Sequence, residues 1–188
     1  MAILFGDRED FAIEAGVEPG LEPPSQVWGH MCVWCRGVPL GNLASLHCGL
    51  SHAHDSFRWL AAHVDELWAA ELTGLDDAAT WNFLDGLLYG YHGVIELPDD
   101  RTIEQCVADS EEWGRFDFLT NWDEPFDGYK AFILCPPGGP VRVLSRNLPP
   151  EMGQSLEVSR TALVEVSKAF AHWFEEQETR LCLRELRR

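Results

Sequence analysis

Val27 to Cys35 is the segment that most limits what this chain can fold into. Read as a strand, it puts Val27, Gly29, Met31, Val33 and Cys35 on one face and Trp28, His30, Cys32 and Trp34 on the other. Both faces are largely apolar, and such a strand needs cover on both sides. The segment therefore predicts a central strand. Arg36-Gly37 can turn the chain back into Val38 to Gly41. Pro39 has no N–H to give, so that return sits at an edge or ends its pairing.

Other elements follow from spacing. Ala2 to Phe5 is a short apolar run, and Phe11 and Ile13 alternate with Ala12 and Glu14 as in a half-buried strand. Gly16 to Ser25 is rich in Gly, Pro and Glu and reads as a loop. Phe57, Leu60, Ala61, Val64, Trp68 and Leu72 recur at helical spacing, with Asp55 or Ser56 to cap and Gly74 to close. A second helix is predicted from Asp76 or Asp77, carrying Trp81, Leu84, Leu88 and Tyr91 on one stripe and ending at Gly90 and Gly93. Thr102 and Gln105 have capping-box spacing and predict a short helix through Val107.

Strands return where Phe116, Phe118 and Thr120 alternate with Asp117 and Leu119. Lys130 to Cys135 and Val141 to Leu144 flank Pro136-Pro137-Gly138-Gly139-Pro140 and read as a hairpin with a longer loop. A last helix is expected from near Ser155, with Leu156, Leu163, Val166, Phe170, Trp173, Phe174 and Leu181 on its apolar face. Its arginine-rich end suits the negative end of the helix dipole. The order of strands, helices, strands and helix predicts an α+β fold: an antiparallel β-sheet with helices packed on it and a long C-terminal helix. Its 188 residues show no repeat and no compositional break, so one domain is expected over residues 1–188.

Charge narrows the function classes. The formal net charge is −17, yet 46% of residues are hydrophobic, which argues against disorder. Ahead of Arg180, ten basic residues face thirty acidic ones. Phosphate contacts need a basic surface, so neither nucleic acid nor an anionic membrane is expected as a direct ligand. No stretch approaches the ~18 consecutive apolar residues of a membrane span. Met1 to Arg8 lacks the basic start and apolar run of a secretory signal. The six cysteines lie mostly in apolar segments and are expected as reduced thiols in a cytoplasmic protein.

Candidate chemistry is sparse. Cys32-Val33-Trp34-Cys35 matches C-x-x-C, but residues three apart in a strand face opposite ways, and no second pair completes a four-ligand site. His47-Cys48-Gly49-Leu50-Ser51-His52-Ala53-His54-Asp55 is the most metal-like stretch, since imidazole and thiolate suit zinc or nickel. It supports an alternative reading as a metal-binding protein or metal-dependent hydrolase using His47, His52, His54 and Asp55. The plainer reading is a polar loop and helix cap, with no metal and no cofactor. No Gly-x-Ser-x-Gly elbow or phosphate-binding glycine loop occurs, and no catalytic residue is assigned. Trp59 and His63 lie off the main stripe of their helix, on a second buried face or on a surface for a partner or a second copy.

Acidic clusters remain. Asp76-Asp77, Asp99-Asp100, Glu111-Glu112 and Asn121-Trp122-Asp123-Glu124-Pro125-Phe126-Asp127 interrupt the apolar pattern. Asp76 and Asp77 suit helix caps. The last stretch sets three carboxylates beside two aromatics, the composition of a protein interface. The candidate partner-binding residues are Trp122, Asp123, Glu124, Asp127, Asp99 and Asp100. Trp122 is either an anchor for the partner or a core residue, and Phe126 goes with the core.

Several short signatures carry a resemblance. They are Leu4-Phe5-Gly6-Asp7, Phe11-Ala12-Ile13-Glu14, Trp28-Gly29-His30-Met31-Cys32-Val33-Trp34 leading to Gly37 and Gly41, Phe118-Leu119-Thr120-Asn121-Trp122, Phe126-Asp127-Gly128, and Trp173-Phe174-Glu175-Glu176-Gln177. In these the chain resembles bacterial polymorphic-toxin immunity proteins, most closely the immunity protein 42 family. The resemblance implies an α+β cytoplasmic protein without catalysis that neutralises a cognate toxin domain by direct binding. It brings no set of active-site residues. Many toxins of such systems are basic nucleases, onto which an acidic inhibitor would be steered.

Overall fold

The computed structural model describes residues 2–44, 47–92, 95–98, 100–120, 122–147 and 153–182. Strands β1 (Ile3–Gly6) and β2 (Phe11–Val17) form an antiparallel hairpin, Ile3 opposite Ala15. β2 pairs in turn with β3 (Trp28–Cys35), Phe11 opposite Cys35. Arg36 and Gly37, with φ of 52° and 76°, make the turn into β4 (Val38–Leu40). Two positive φ angles match the strand twist in a two-residue hairpin. β5 (Cys48–Gly49) pairs with the other end of β3, Gly49 opposite Trp28. β3 is thus central to a five-stranded antiparallel sheet, and Pro39 lies on its short edge strand β4.

The cover on β3 differs between its faces. Gly29, Met31, Val33 and Cys35 are buried, whereas on the other face only Cys32 is, and Trp28, His30 and Trp34 stay half-exposed. Single side chains shield that face: His47 stacks on Trp28 at 4.4 Å, and the Arg8 guanidinium lies 4.4 Å from the Trp34 ring. β2 is more buried than its alternation suggests, with Phe11, Ala12 and Ile13 all inaccessible.

Helix α1 (Leu50–His63) has Gly49 at its N-cap, so Asp55 and Ser56 lie inside it rather than capping it. It stops before Val64, and two 3-10 turns, Val64–Glu66 and Ala70–Leu72, carry the chain on. Tight turns can keep the same apolar residues inward as a longer helix would, and spacing alone does not separate the two. Helix α2 (Asp77–Tyr89) is capped by Asp76, whose carboxylate accepts the Ala79 N–H at 2.8 Å. Gly90, at φ 72°, ends it. Tyr91 leaves the stripe and is exposed in a ribbon of β6 (Tyr91–His92) and β7 (Ile95–Glu96); Gly93 lies outside the described residues. Helix α3 (Ile103–Trp113) has the Thr102/Gln105 capping box and runs past Val107 to bury Trp113.

The second sheet has the order β11-β10-β9-β8. Of the expected strand from Phe116 to Thr120, only β8 (Asp117–Phe118) pairs, because Phe116 closes a 3-10 turn and Leu119 takes φ 63°. β9 (Tyr129–Leu134) and β10 (Val141–Asn147) form the expected hairpin. β11 (Gln154–Val158) replaces the expected start of the last helix: Leu156 and Val158 alternate inward beside β10. Helix α4 (Arg160–Cys182) follows, with Ser159 Oγ accepting the Ala162 N–H.

Two apolar clusters result, and β9 divides them. Its Ala131 and Ile133 belong to the larger cluster with Phe57, Phe118 and Phe170; Phe132 and Leu134 belong to the smaller one with Trp81, Leu84 and Trp113. Period-two alternation thus serves a different core on each face. A buried ion pair reinforces the smaller side, where Lys130 reaches Asp85 of α2 and lies over the Tyr89 ring.

Candidate functional site

The acidic loop after β8 is fastened from inside. Trp122 is 5% exposed and meets Phe57 edge-on at 5.2 Å, Phe118 at 5.5 Å and Phe126 at 6.3 Å. Its indole belongs to the core, as does Phe126. Phe126 presses on Gly41, where φ is 109° and an added Cβ would lie 2.7 Å from the ring. Only glycine suits that conformation and that approach. The Pro125 carbonyl accepts the Asn42 N–H at 2.8 Å.

Asp123 is the fastener. One carboxylate oxygen accepts the N–H of Gly49, the residue before α1, at 2.8 Å, and the other accepts the Glu124 N–H at 2.8 Å. Helix starts leave donors unpaired, and a carboxylate suits them on both hydrogen-bonding and dipole grounds. Asp123 adopts φ 126°, a strained value for a residue with a side chain. The nearby Cys48 thiol is pushed up to about 12, chiefly by burial and further by Asp123. Of the three carboxylates in this stretch, Glu124 and Asp127 are exposed and Asp123 is half-buried. Asp100 is exposed beyond β7; Asp99 lies outside the described residues.

One edge of Trp122 borders a cleft of about 420 Å³. Its walls include His52, Asp55 and Trp59 of α1, Arg115 of the 3-10 turn Gly114–Phe116, and Asp117 of β8. Burial pushes the Asp117 carboxyl above its usual range, while Thr120, Tyr89 and Lys130 pull it down. Arg115 is turned to the protein, donating to the Glu66 and Glu112 carbonyls. The cleft offers carboxylates and indoles, which together recognise a cationic side chain. Asp55 and Asp117 were not recognisable as neighbours in sequence; only their residue type could have flagged them.

The histidine stretch does not assemble. His47 stacks on Trp28 and lies 3.1 Å from Glu18; His52 faces Trp122; His54 is buried, stacked on Phe174 at 4.4 Å, with Nδ1 3.0 Å from Asp55. Among the described residues no three His, Cys, Asp or Glu side chains gather as a metal requires. The Cys32 and Cys35 thiols are buried and pushed above the usual thiol range by that burial. Trp59 and His63 stack on each other at 4.8 Å, half-buried. No helix among the described residues is long and apolar enough to cross a membrane.

The model of the immunity protein 42 family matches residues 1–168. The chain belongs to this family. The match covers both sheets and the first part of α4, and Trp173 to Gln177 fall beyond it. The crystal structure of CdiI from Burkholderia dolosa AUO158 is similar, with a TM-score of 0.58 and 12% identity over 91% of this chain and 99% of that one. At that identity the likeness speaks for the fold alone. Comparison with curated proteins returns no match.

Proposed function

We propose that this chain neutralises a cognate toxin domain by direct contact, without catalysis or cofactor, in the cytoplasm of the cell that makes the toxin. The partner is basic and meets an acidic surface to which Glu124, Asp127 and Asp100 contribute; Asp99 is included from sequence. Asp123 and Trp122 serve this surface from beneath, holding the loop that displays Glu124 and Asp127. The observation that carries the reading is the family match over residues 1–168 in a chain of net charge −17. Charge of opposite sign speeds capture, which an immunity protein needs because the toxin must be met before it acts.

The test is association of the purified chain with the toxin domain encoded in the adjoining reading frame. Binding at nanomolar Kd or tighter is expected, with association falling at least about tenfold between roughly 50 mM and 500 mM salt. Absence of binding would refute the reading. Association indifferent to salt would remove its electrostatic part. Glu124→Lys with Asp127→Lys should slow association while leaving the melting temperature in place.

A further inference from the structure

Seven large apolar side chains are exposed among the described residues, and five fall between residues 91 and 107: Tyr91, Ile95, Leu97, Ile103 and Val107. Ile103 is 80% exposed and Ile95 65%. Isolated exposed apolar residues are ordinary, but a concentration of them marks a contact surface. Ile103, Val107 and Ser110 stand at i, i+4 and i+7 on α3 and share one stripe. Ser110 also lines a groove of about 390 Å³ with Leu97, Glu96 and Cys106. The apolar stripe therefore borders this groove between β7 and α3.

The frame around it is held in place. The Leu97 N–H donates to the Gly90 carbonyl at 2.7 Å, tying β7 to the end of α2. Arg101 donates to the Leu87 carbonyl at 2.8 Å and to Asp109 at 2.7 Å, tying the start of α3 to the same helix. Arg101 stands in the wall of the groove, paired with Asp109, and beyond that pair the charge around the groove is negative. Residues 91 to 112 contain seven carboxylates, and Arg101 is their single Lys or Arg. Glu96, Asp100, Glu104, Glu111 and Glu112 are exposed. The groove wall mixes Leu87, Leu88 and Leu97 with Glu96, Arg101 and Ser110, and the exposed apolar side chains Ile103 and Val107 stand outside it on α3. An exposed apolar stripe among carboxylates is complementary to a basic protein surface that presents an apolar side chain.

We propose that the β7–α3 groove, with Ile103 and Val107 on its border, is the anchor site for the basic toxin domain. This rests on the toxin-binding reading above and adds the place where the complex is held. Partner lysines and arginines meet the rim, which governs capture, and an apolar partner side chain packs on Ile103 and Val107 at the border of the groove, which governs dissociation. The two contributions are separable in kinetics.

The experiment follows the complex with the toxin domain from the adjoining reading frame by surface-based kinetics, comparing the natural chain with Ile103→Ser/Val107→Ser. Dissociation should accelerate roughly tenfold or more, with association changed by less than about twofold. Should the double variant melt earlier than the natural chain, Ile103→Ala alone is used, with dissociation expected to rise several-fold. Tight binding by the natural chain with dissociation unchanged in the variant would overturn the anchor site and leave the toxin-binding reading standing. Failure of the natural chain to bind would overturn both. A natural chain that sediments as a dimer, which the double variant breaks, would assign the groove to a second copy and overturn the proposal.

Discussion

Residues 122–127 and residues 95–112 are both acidic and both contain large apolar side chains, yet they are built in opposite ways. In the first, the aromatics face inward and one carboxylate is consumed in holding the loop to the start of α1. In the second, the apolar side chains face outward, and most of the described carboxylates around them are exposed. Composition describes the two alike. The difference lies in whether the rest of the molecule supplies an apolar surface for the aromatic to join. Phe57 and Phe118 do so for Trp122, and Ile103 is left 80% exposed. Interface-like composition therefore identifies a surface only after the core has taken its share.

Substitutions can break this contrast. Trp122→Ala removes a core indole and should cost about 3–5 kcal/mol in chemical denaturation. A cost below about 1 kcal/mol would place Trp122 at the surface and restore it as a partner anchor. Asp123→Ala leaves two backbone donors without their carboxylate and should cost about 1.5–3 kcal/mol, with no relief of strain at φ 126° because alanine also carries a Cβ. Ile103→Ser in the other region should leave stability within about 0.5 kcal/mol of the natural chain.

These contrasts show which parts of the fold sequence reasoning reaches. The central strand, the Arg36-Gly37 turn, the β9–β10 hairpin and the caps at Asp76 and Thr102 rest on local patterns, and they form where local chemistry puts them. The start of α1 did not, because Gly49 is held by a carboxylate 74 positions away. β11 was missed because Leu156 fits a helical stripe as readily as a strand until β10 pairs with it. Glu124, Asp127 and Asp100 stand out in the sequence as carboxylates, and the structure leaves all three exposed. The fate of Trp122 and the pairing of Asp55 with Asp117 across a cleft depend on tertiary contacts that no local spacing encodes.

Two smaller effects sharpen the comparison. Cys48 beside Asp123 is buried with its thiol pushed up to about 12, whereas Cys106 is half-buried in the β7–α3 groove. Alkylation of the folded chain near neutral pH, read by peptide mass spectrometry, should label Cys106 well before Cys48. Equal labelling would mean that the loop region opens as readily as the groove. The least effect concerns Asp117, whose carboxyl is raised in the folded chain by burial. The folded state then holds this proton to higher pH than the unfolded state does. Its contribution to stability is present below the ordinary carboxylate range and is lost as pH rises through the raised value. Asp117→Asn should flatten that part of the stability profile, and an identical profile would show that Asp117 titrates as an exposed carboxylate.

The central claim is neutralisation by contact alone, and stoichiometry tests it directly. The active toxin domain from the adjoining reading frame is titrated with the purified chain while its activity is followed. Loss of activity should be complete at one molecule of chain per toxin, with the mass of both polypeptides unchanged. Complete inactivation by a small fraction of an equivalent, or a lasting covalent change in the toxin, would contradict it and make the chain a catalyst.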